Sequence, residues 1–285
     1  MSGEGGEGTV GGRDPHAYGL PKPVTELEEG SVELPELPTA DPRLRVGVID
    51  TGVYHTRAER PHPWLHGHVS YLAQDVEHDD DNDPAVGHGS FVAGVVLRHA
   101  PTATVMMRRA VVTGSDDDAE VAEAIRALGW AGVKVINLSF GGGLFEHRTP
   151  PSIEAALQAL DDDVVVVAAA ANNASPLHTY PAARGGVLSV GATDAEGNIA
   201  EFSAHGSWIS VYAVGQDVLG PYRDKVATWS GASFAAAAVT GRIARLMADH
   251  DLAAVPARDR LLRSCVKRTV WGINGSREVD VLPGD

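Results

Sequence analysis

The sequence predicts an α/β fold with a mostly parallel central sheet and helices on both of its faces. Three observations carry that reading. Strand-length runs such as "LRVGVI" and "VVVVAAAA" are almost wholly apolar, as strands covered on both sides are. Segments of helical period separate them, "AEVAEAIRALGWAG" being the clearest. No internal repeat divides the 285 residues, so one layered domain accounts for most of the length.

Residues 1–42 are rich in Gly, Glu and Pro and poor in large apolar side chains, which predicts a flexible arm ahead of a domain over 43–285. Within the domain "LRVGVI" opens as a buried strand, and "HVSYLA" from His68 as a shorter one. "SFVAGVVLRH" is apolar at helical spacing, and "ATVMMRRAVV" follows as a strand. "AEVAEAIRALGWAG" predicts an amphipathic helix and "VKVINLSF" a strand. "PPSIEAALQAL" places prolines where a first helical turn tolerates them. "VVVVAAAA", "VLSVGAT" and "ISVYAV" are the remaining strands. A long helix is expected from Ser233 to Asp249, a last one from Pro256 to Val266, and then an irregular tail.

Composition narrows the function. A formal charge of −15 disfavours nucleic acid and anionic membrane surfaces, both of which select a basic face. The longest apolar run, Val164 to Ala171, is far short of the ~20 residues that span a bilayer. The N-terminus lacks the basic start and apolar stretch of a secretory signal, and Cys265 is the only cysteine. A cytoplasmic location is the expectation; oligomeric state stays open.

In a parallel sheet the working residues sit at the C-terminal ends of strands. "VGVIDTGV" puts Asp50 at such an end, "VGHGSFVAG" puts His88 at a helix start, and "SGASFAAA" puts Ser233 at another. Singly, each has an ordinary explanation: a turn aspartate, a loop histidine, a helix-capping serine. Together, in the order Asp, His, Ser, they have the residue types of a nucleophilic triad. The three strings resemble the signatures of the subtilisin-like serine proteases, and the similarity extends from about Leu44 to His250.

That resemblance implies a three-layer sandwich and a serine endopeptidase acting on peptides or proteins, a processing protease among the options, with no cofactor. His88 would take the Ser233 proton, Asp50 would orient the ring, and the Asn172 amide with the Ser233 N–H would form the oxyanion hole. Ala171 then occupies the usual glycine position, which selects Asn172 over Asn173. Ser139, Phe140, Gly141, Ala169, Ala170 and Ala171 would wall the primary pocket. Thr179 would narrow it for small or medium side chains, and Val86 would supply an apolar neighbouring subsite.

The chain also departs from the family. Ala232 replaces the threonine usual before the nucleophile, a loss of about tenfold or less if one neutral hydrogen bond is missing. Ala237 replaces a proline, without expected harm. Only Val95 to His99 follow Gly94 before "APTATV", too few residues for the calcium loop of many relatives, so no metal is assigned and chelation should change little. The acidic run Asp79–Asp83 fails as an EF-hand loop and is read as a solvated loop. Part of residues 20–40 is expected to cover the cleft in an inactive form.

Other chemistries fit less well. An aspartic protease needs a second Asp-Thr-Gly, a dinucleotide enzyme needs G-x-G-x-x-G directly after its first strand, and an α/β-hydrolase needs G-x-S-x-G in another residue order; the sequence meets none of these conditions. The alternative left open is a pseudoprotease that keeps the fold to bind peptides.

Overall fold

The computed structural model describes residues 24–56, 60–77, 85–110, 118–141, 148–272 and 275–284. In chain order the elements are β1 (Thr25–Glu26), β2 (Arg45–Asp50), β3 (Val53–Tyr54), β4 (Val69–Ser70), β5 (Val76–Glu77), α1 (His88–His99), β6 (Thr104–Arg109) and α2 (Asp118–Trp130). There follow β7 (Val135–Leu138), α3 (Pro151–Gln158), β8 (Val165–Ala169), β9 (Val187–Thr193), β10 (Val211–Val214), β11 (Val218–Tyr222) and β12 (Lys225–Trp229). The chain ends with α4 (Ala232–His250), α5 (Ala254–Ser264), β13 (Val266–Gly272) and β14 (Gly275–Val281).

Among the described residues nine strands form the central sheet, in the order β13-β14-β10-β9-β8-β7-β2-β6-β4. Every pairing in it is parallel except β13 with β14. One face buries Val46, Val48, Val105 and Met107 against Phe91, Val95 and Phe234 of α1 and α4. The other buries Ile49, Ile136 and Leu138 against Val121, Ile125 and Leu128 of α2 and Ile153 of α3. Each such side chain contributes ~1.5–3 kcal/mol by leaving water. The run of alanines in α4 lets that helix lie close on the sheet, and Gly241 lets it cross α1, since a Cβ there would come within 2.6 Å of the Val96 carbonyl oxygen.

Four expectations are corrected. "HVSYLA" is a strand only at Val69–Ser70. The last helix spans Ala254–Ser264, with Pro256 in its first turn, and stops before Val266. The tail is a β-hairpin, not irregular, and β14 joins the sheet beside β10 through the Tyr212–Val281 position. "VLGPYRDKVATW", which lacks an apolar run and suggests no element, is the antiparallel hairpin β11–β12. Its charged and turn-forming residues hide its strands, yet it packs on α1, where Pro221 sits against Gly94.

Residues 24–42 of the arm are tied to the domain. Thr25 and Glu26 pair antiparallel with Thr228 and Ala227, so the chain leaves them running away from Ser233. The Trp64 indole N–H then donates to the Pro35 carbonyl at 2.7 Å, and the Asp41 N–H to the Thr102 carbonyl, ahead of β6. Residues 24–42 therefore strap the side of the domain, and residues 20–23 of the segment expected to cover the cleft lie outside the described residues. The acidic run Asp79–Asp83 lies outside the described residues. Helix α1 is unbroken to His99, and among the described residues no cluster of His, Cys, Asp or Glu is placed to hold a metal ion. Among them, too, no helix is long and apolar enough to cross a membrane.

Candidate active site

Segments far apart in sequence converge at the C-terminal edge of the parallel strands. Along β2 the side chains alternate between faces, Val46 and Val48 toward α1 and Ile49 toward α2. The same period turns Asp50, at the strand's end, toward α1. His88 is the first residue of that helix. Its Nδ1 lies 2.7 Å from Asp50 Oδ1, and both side chains are fully buried. An ionised carboxylate only accepts, so Nδ1 carries the proton and Nε2 of the neutral ring is the basic nitrogen. The start of α1 fits under the turn after Asp50 because residue 89 is glycine: a Cβ there would meet the Gly52 carbonyl oxygen at 2.3 Å.

Ser233 is the second residue of α4, so its N–H lies in the first turn, where no carbonyl one turn back can receive it. Its ring-bearing neighbour Phe234 lies 5.5 Å from the His88 ring, centroid to centroid, and Trp229 stands edge-on to that ring at 5.6 Å. The Ser233 hydroxyl is turned to the Ser139 carbonyl at 3.3 Å, a long hydrogen bond. Ser139 ties the two segments from the other side, its Oγ donating to the Ser233 carbonyl at 3.0 Å. Asn137 and Thr240 extend this buried chain between β7 and α4.

The two asparagines are held differently. Asn172 Oδ1 accepts the Ala232 N–H at 2.7 Å, which turns the amide nitrogen away from that contact. Asn173 Oδ1 is spent on the Ser175 N–H in a local turn. Ala171 has φ 103°, a backbone conformation suited to glycine, and it sits directly before Asn172. Burial of the other predicted pocket residues is uneven. Phe140 packs into the α2–α3 core, and Val86 is buried too, so neither offers an open surface. Ala170 gives its N–H to Val190 and accepts the Thr179 hydroxyl at 2.7 Å, so that hydroxyl serves the loop. Gly141 faces the Tyr180 carbonyl closely, at 3.2 Å from where a Cβ would stand.

The model of the Subtilase family matches residues 42–278. The chain belongs to the subtilase family. It is 32% identical over 244 residues to a thermophilic serine proteinase of a Bacillus species (strain AK1), covering 81% of this chain and 57% of that protein. Subtilisin BL of Lederbergia lenta is 31% identical over 219 residues, 70% of this chain and 75% of that protein. The chain thus spans between about half and three quarters of such relatives. Among solved structures, the patellamide maturation protease PatA superposes with TM-score 0.68 at 26% identity, over 80% of this chain and 89% of that one. A cold-adapted subtilisin-like serine proteinase superposes with TM-score 0.67 at 23% identity, covering 88% and 93%.

In this subtilase, sequence reasoning missed the support behind the Asp50–His88 pair. Thr51 gives its backbone N–H to Asp50 Oδ1 at 2.8 Å and receives the Gly89 N–H on its hydroxyl at 3.0 Å. Its hydroxyl proton goes to Glu77 Oε2 at 3.2 Å, and the same oxygen accepts the Gly87 N–H at 2.9 Å. Burial pushes the Glu77 carboxyl up to about 8; Asp50 adds to the rise, and the Gly87 N–H, the Thr51 hydroxyl and Arg109 oppose it. Thr51 was visible inside "VIDTGV"; nothing in the sequence marked Glu77.

Proposed function

We propose that the protein is a serine endopeptidase that hydrolyses peptide bonds through Asp50, His88 and Ser233. The observation that carries the reading is the fully buried 2.7 Å contact of His88 Nδ1 with Asp50 Oδ1, beside the first turn of α4. It leaves Nε2 as the base. On substrate binding the Ser233 hydroxyl leaves the Ser139 carbonyl, passes its proton to His88 and attacks the scissile carbonyl carbon. Asp50 stabilises the imidazolium that forms. The carbonyl oxygen, now negative, lies between the Asn172 amide and the Ser233 N–H at the positive end of α4. His88 then protonates the leaving amine, and water releases the acyl group by the same steps in reverse.

Substrates pair as extended peptides with the backbones of Ser139–Gly141 and Ala169–Ala171. Thr179, by holding the Ala170 carbonyl, keeps the primary pocket small. The similarity to PatA, a maturation protease at 26% identity, supports a processing role over general degradation.

A fluorophosphonate probe tests the chemistry. Covalent labelling located at Ser233 by peptide mapping is the expected result. An unlabelled, folded protein would establish the peptide-binding pseudoprotease instead, a reading favoured by Ala232 and by the hydroxyl turned to Ser139. Cleavage profiling on a peptide library then separates the roles, one dominant sequence meaning processing and scattered cuts meaning degradation.

A further inference from the structure

Glu77 has no part in the chemistry of the triad, yet its side chain is buried at the back of it. We propose that Glu77 is a positioning residue: its carboxyl clamps the Asp50–Thr51 turn to the N-terminus of the helix that carries His88. The proposal rests on the triad reading.

The geometry is specific. Two segments meet here, the turn after β2 and the start of α1, and each presents a buried donor. The Gly87 N–H lies just ahead of α1, at a residue with φ 85° and no side chain to cap the helix. The Thr51 hydroxyl must hand its proton somewhere, because its oxygen is already taken by the Gly89 N–H. A single atom, Glu77 Oε2, accepts both. Left without it, two buried donors would lose their partner, each a costly omission. The Thr51 hydroxyl then becomes free to rotate off Gly89, and the first turn of α1 keeps only the His88 ring as its tie to the Asp50 turn.

Glu77 is itself held firmly. Its strand β5 pairs with β3 in parallel, Tyr54 opposite Glu77, and its carbonyl accepts the His55 N–H at 3.0 Å. Two residues earlier, Asp75 is buried and receives the Leu72 and Arg109 N–H groups. The Asp75 carbonyl oxygen also lies within 2.5 Å of where a Cβ on Gly52 would stand, so this segment abuts the Asp50 turn. This short strand, paired with β3, thus presents one carboxyl oxygen to both halves of the Asp50–His88 pair. A one-oxygen acceptor does not need charge: glutamine supplies the same carbonyl oxygen with nearly the same shape.

The test uses the full chain and a fluorophosphonate, so that no natural substrate is required. In labelling, the Ser233 Oγ–P bond forms, the P–F bond breaks, fluoride leaves and the hydroxyl proton passes to His88. Glu77→Ala should lower the maximal labelling rate tenfold or more while leaving the half-saturating probe concentration within twofold. Glu77→Gln should stay within threefold of the wild type on both. Thr51→Val should fall like Glu77→Ala, and the double variant should be no slower than the slower single one. If Glu77→Ala does not fold, the contrast between Glu77→Gln and Thr51→Val decides. Equal losses in the Ala and Gln variants, or no loss in a folded Ala variant, would overturn the clamp. Failure of the wild type itself to label at Ser233 would instead overturn the triad, so the two failures are told apart.

Discussion

Two corners of the site are built by opposite means. At the Asp50–His88 corner, side chains hold side chains: Asp50, His88, Thr51 and Glu77 are all buried, and a network of hydrogen bonds joins them. At the Asn172 corner, the backbone does the holding. Ala170 and Ala171 are fixed through their N–H and C=O groups, and the Asn172 side chain is anchored on the Ala232 N–H. The first corner keeps the His88 ring in one orientation and away from water. The second is set by the course of the main chain, which takes a positive φ at Ala171.

The contrast can be broken at its centre first. Ser233→Ala removes the group both corners serve, and hydrolysis of a peptide substrate should fall by at least ~10⁴, against roughly 10⁶ known for a subtilisin. The next change isolates the second corner. Asn172→Ala should lower kcat by ~10²–10³ with KM nearly unchanged, a magnitude borrowed from a subtilisin, because the amide acts chiefly in the transition state. Asn173→Ala, whose side chain closes a turn, should change kcat by less than about threefold. If Asn173→Ala is the more damaging of the pair, the corner has been misassigned.

The first corner is separable by pH. An unfolded Glu77 titrates near 4.5 and the folded one at about 8, so between these values the folded chain keeps a proton that the unfolded chain has lost. Stability contributed by this group therefore declines as pH rises from about 4.5 to about 8, and is constant above. Asp50 adds to the rise, and the Gly87 N–H, the Thr51 hydroxyl and Arg109 oppose it. Glu77→Gln removes the titration. Its Tm relative to the wild type should be higher at pH 9 than at pH 5; an equal difference at both pH values would contradict a raised Glu77 pKa.

Two smaller changes sharpen the second corner. Ala171→Gly relieves a positive φ and should stabilise the fold by about 1 kcal/mol, after the greater freedom of glycine in the unfolded chain is subtracted. A thermal melt showing no gain would place the strain elsewhere. Ala232→Thr restores a hydroxyl beside the nucleophile and should raise kcat, by less than about tenfold. Because Ala232 is fully buried, the larger side chain requires its neighbours to shift, and a drop in Tm should accompany the change.

What the sequence disclosed follows the same division. The parallel strands were legible because burial on both faces makes them unbroken apolar runs, and "VVVVAAAA" could scarcely be anything else. The three short strings around Asp50, His88 and Ser233 were legible because tight packing there demands particular neighbours, Gly89 above all. Glu77 was not, since a single acidic residue beside a run of aspartates looks like surface until the fold buries it. The β11–β12 hairpin and the tail hairpin escaped because antiparallel ribbons at the margin are half exposed, and Lys225, Lys267 and Arg277 dilute their pattern. The conformation of Ala171 was foreshadowed only by its standing where glycine is usual.

The tail hairpin has a consequence for life in a crowded solution. Without β14, the strand β10 would present unpaired N–H and C=O groups, with Val211, Tyr212 and Ala213 behind them. Such an edge templates the addition of a foreign strand. β14 caps it, and β13, with Lys267, Arg268 and Thr269 along its length, becomes the outermost strand. Charged residues on an outer strand discourage further pairing. The hairpin thus acts as a selvedge: it finishes the sheet so that it does not fray into its neighbours.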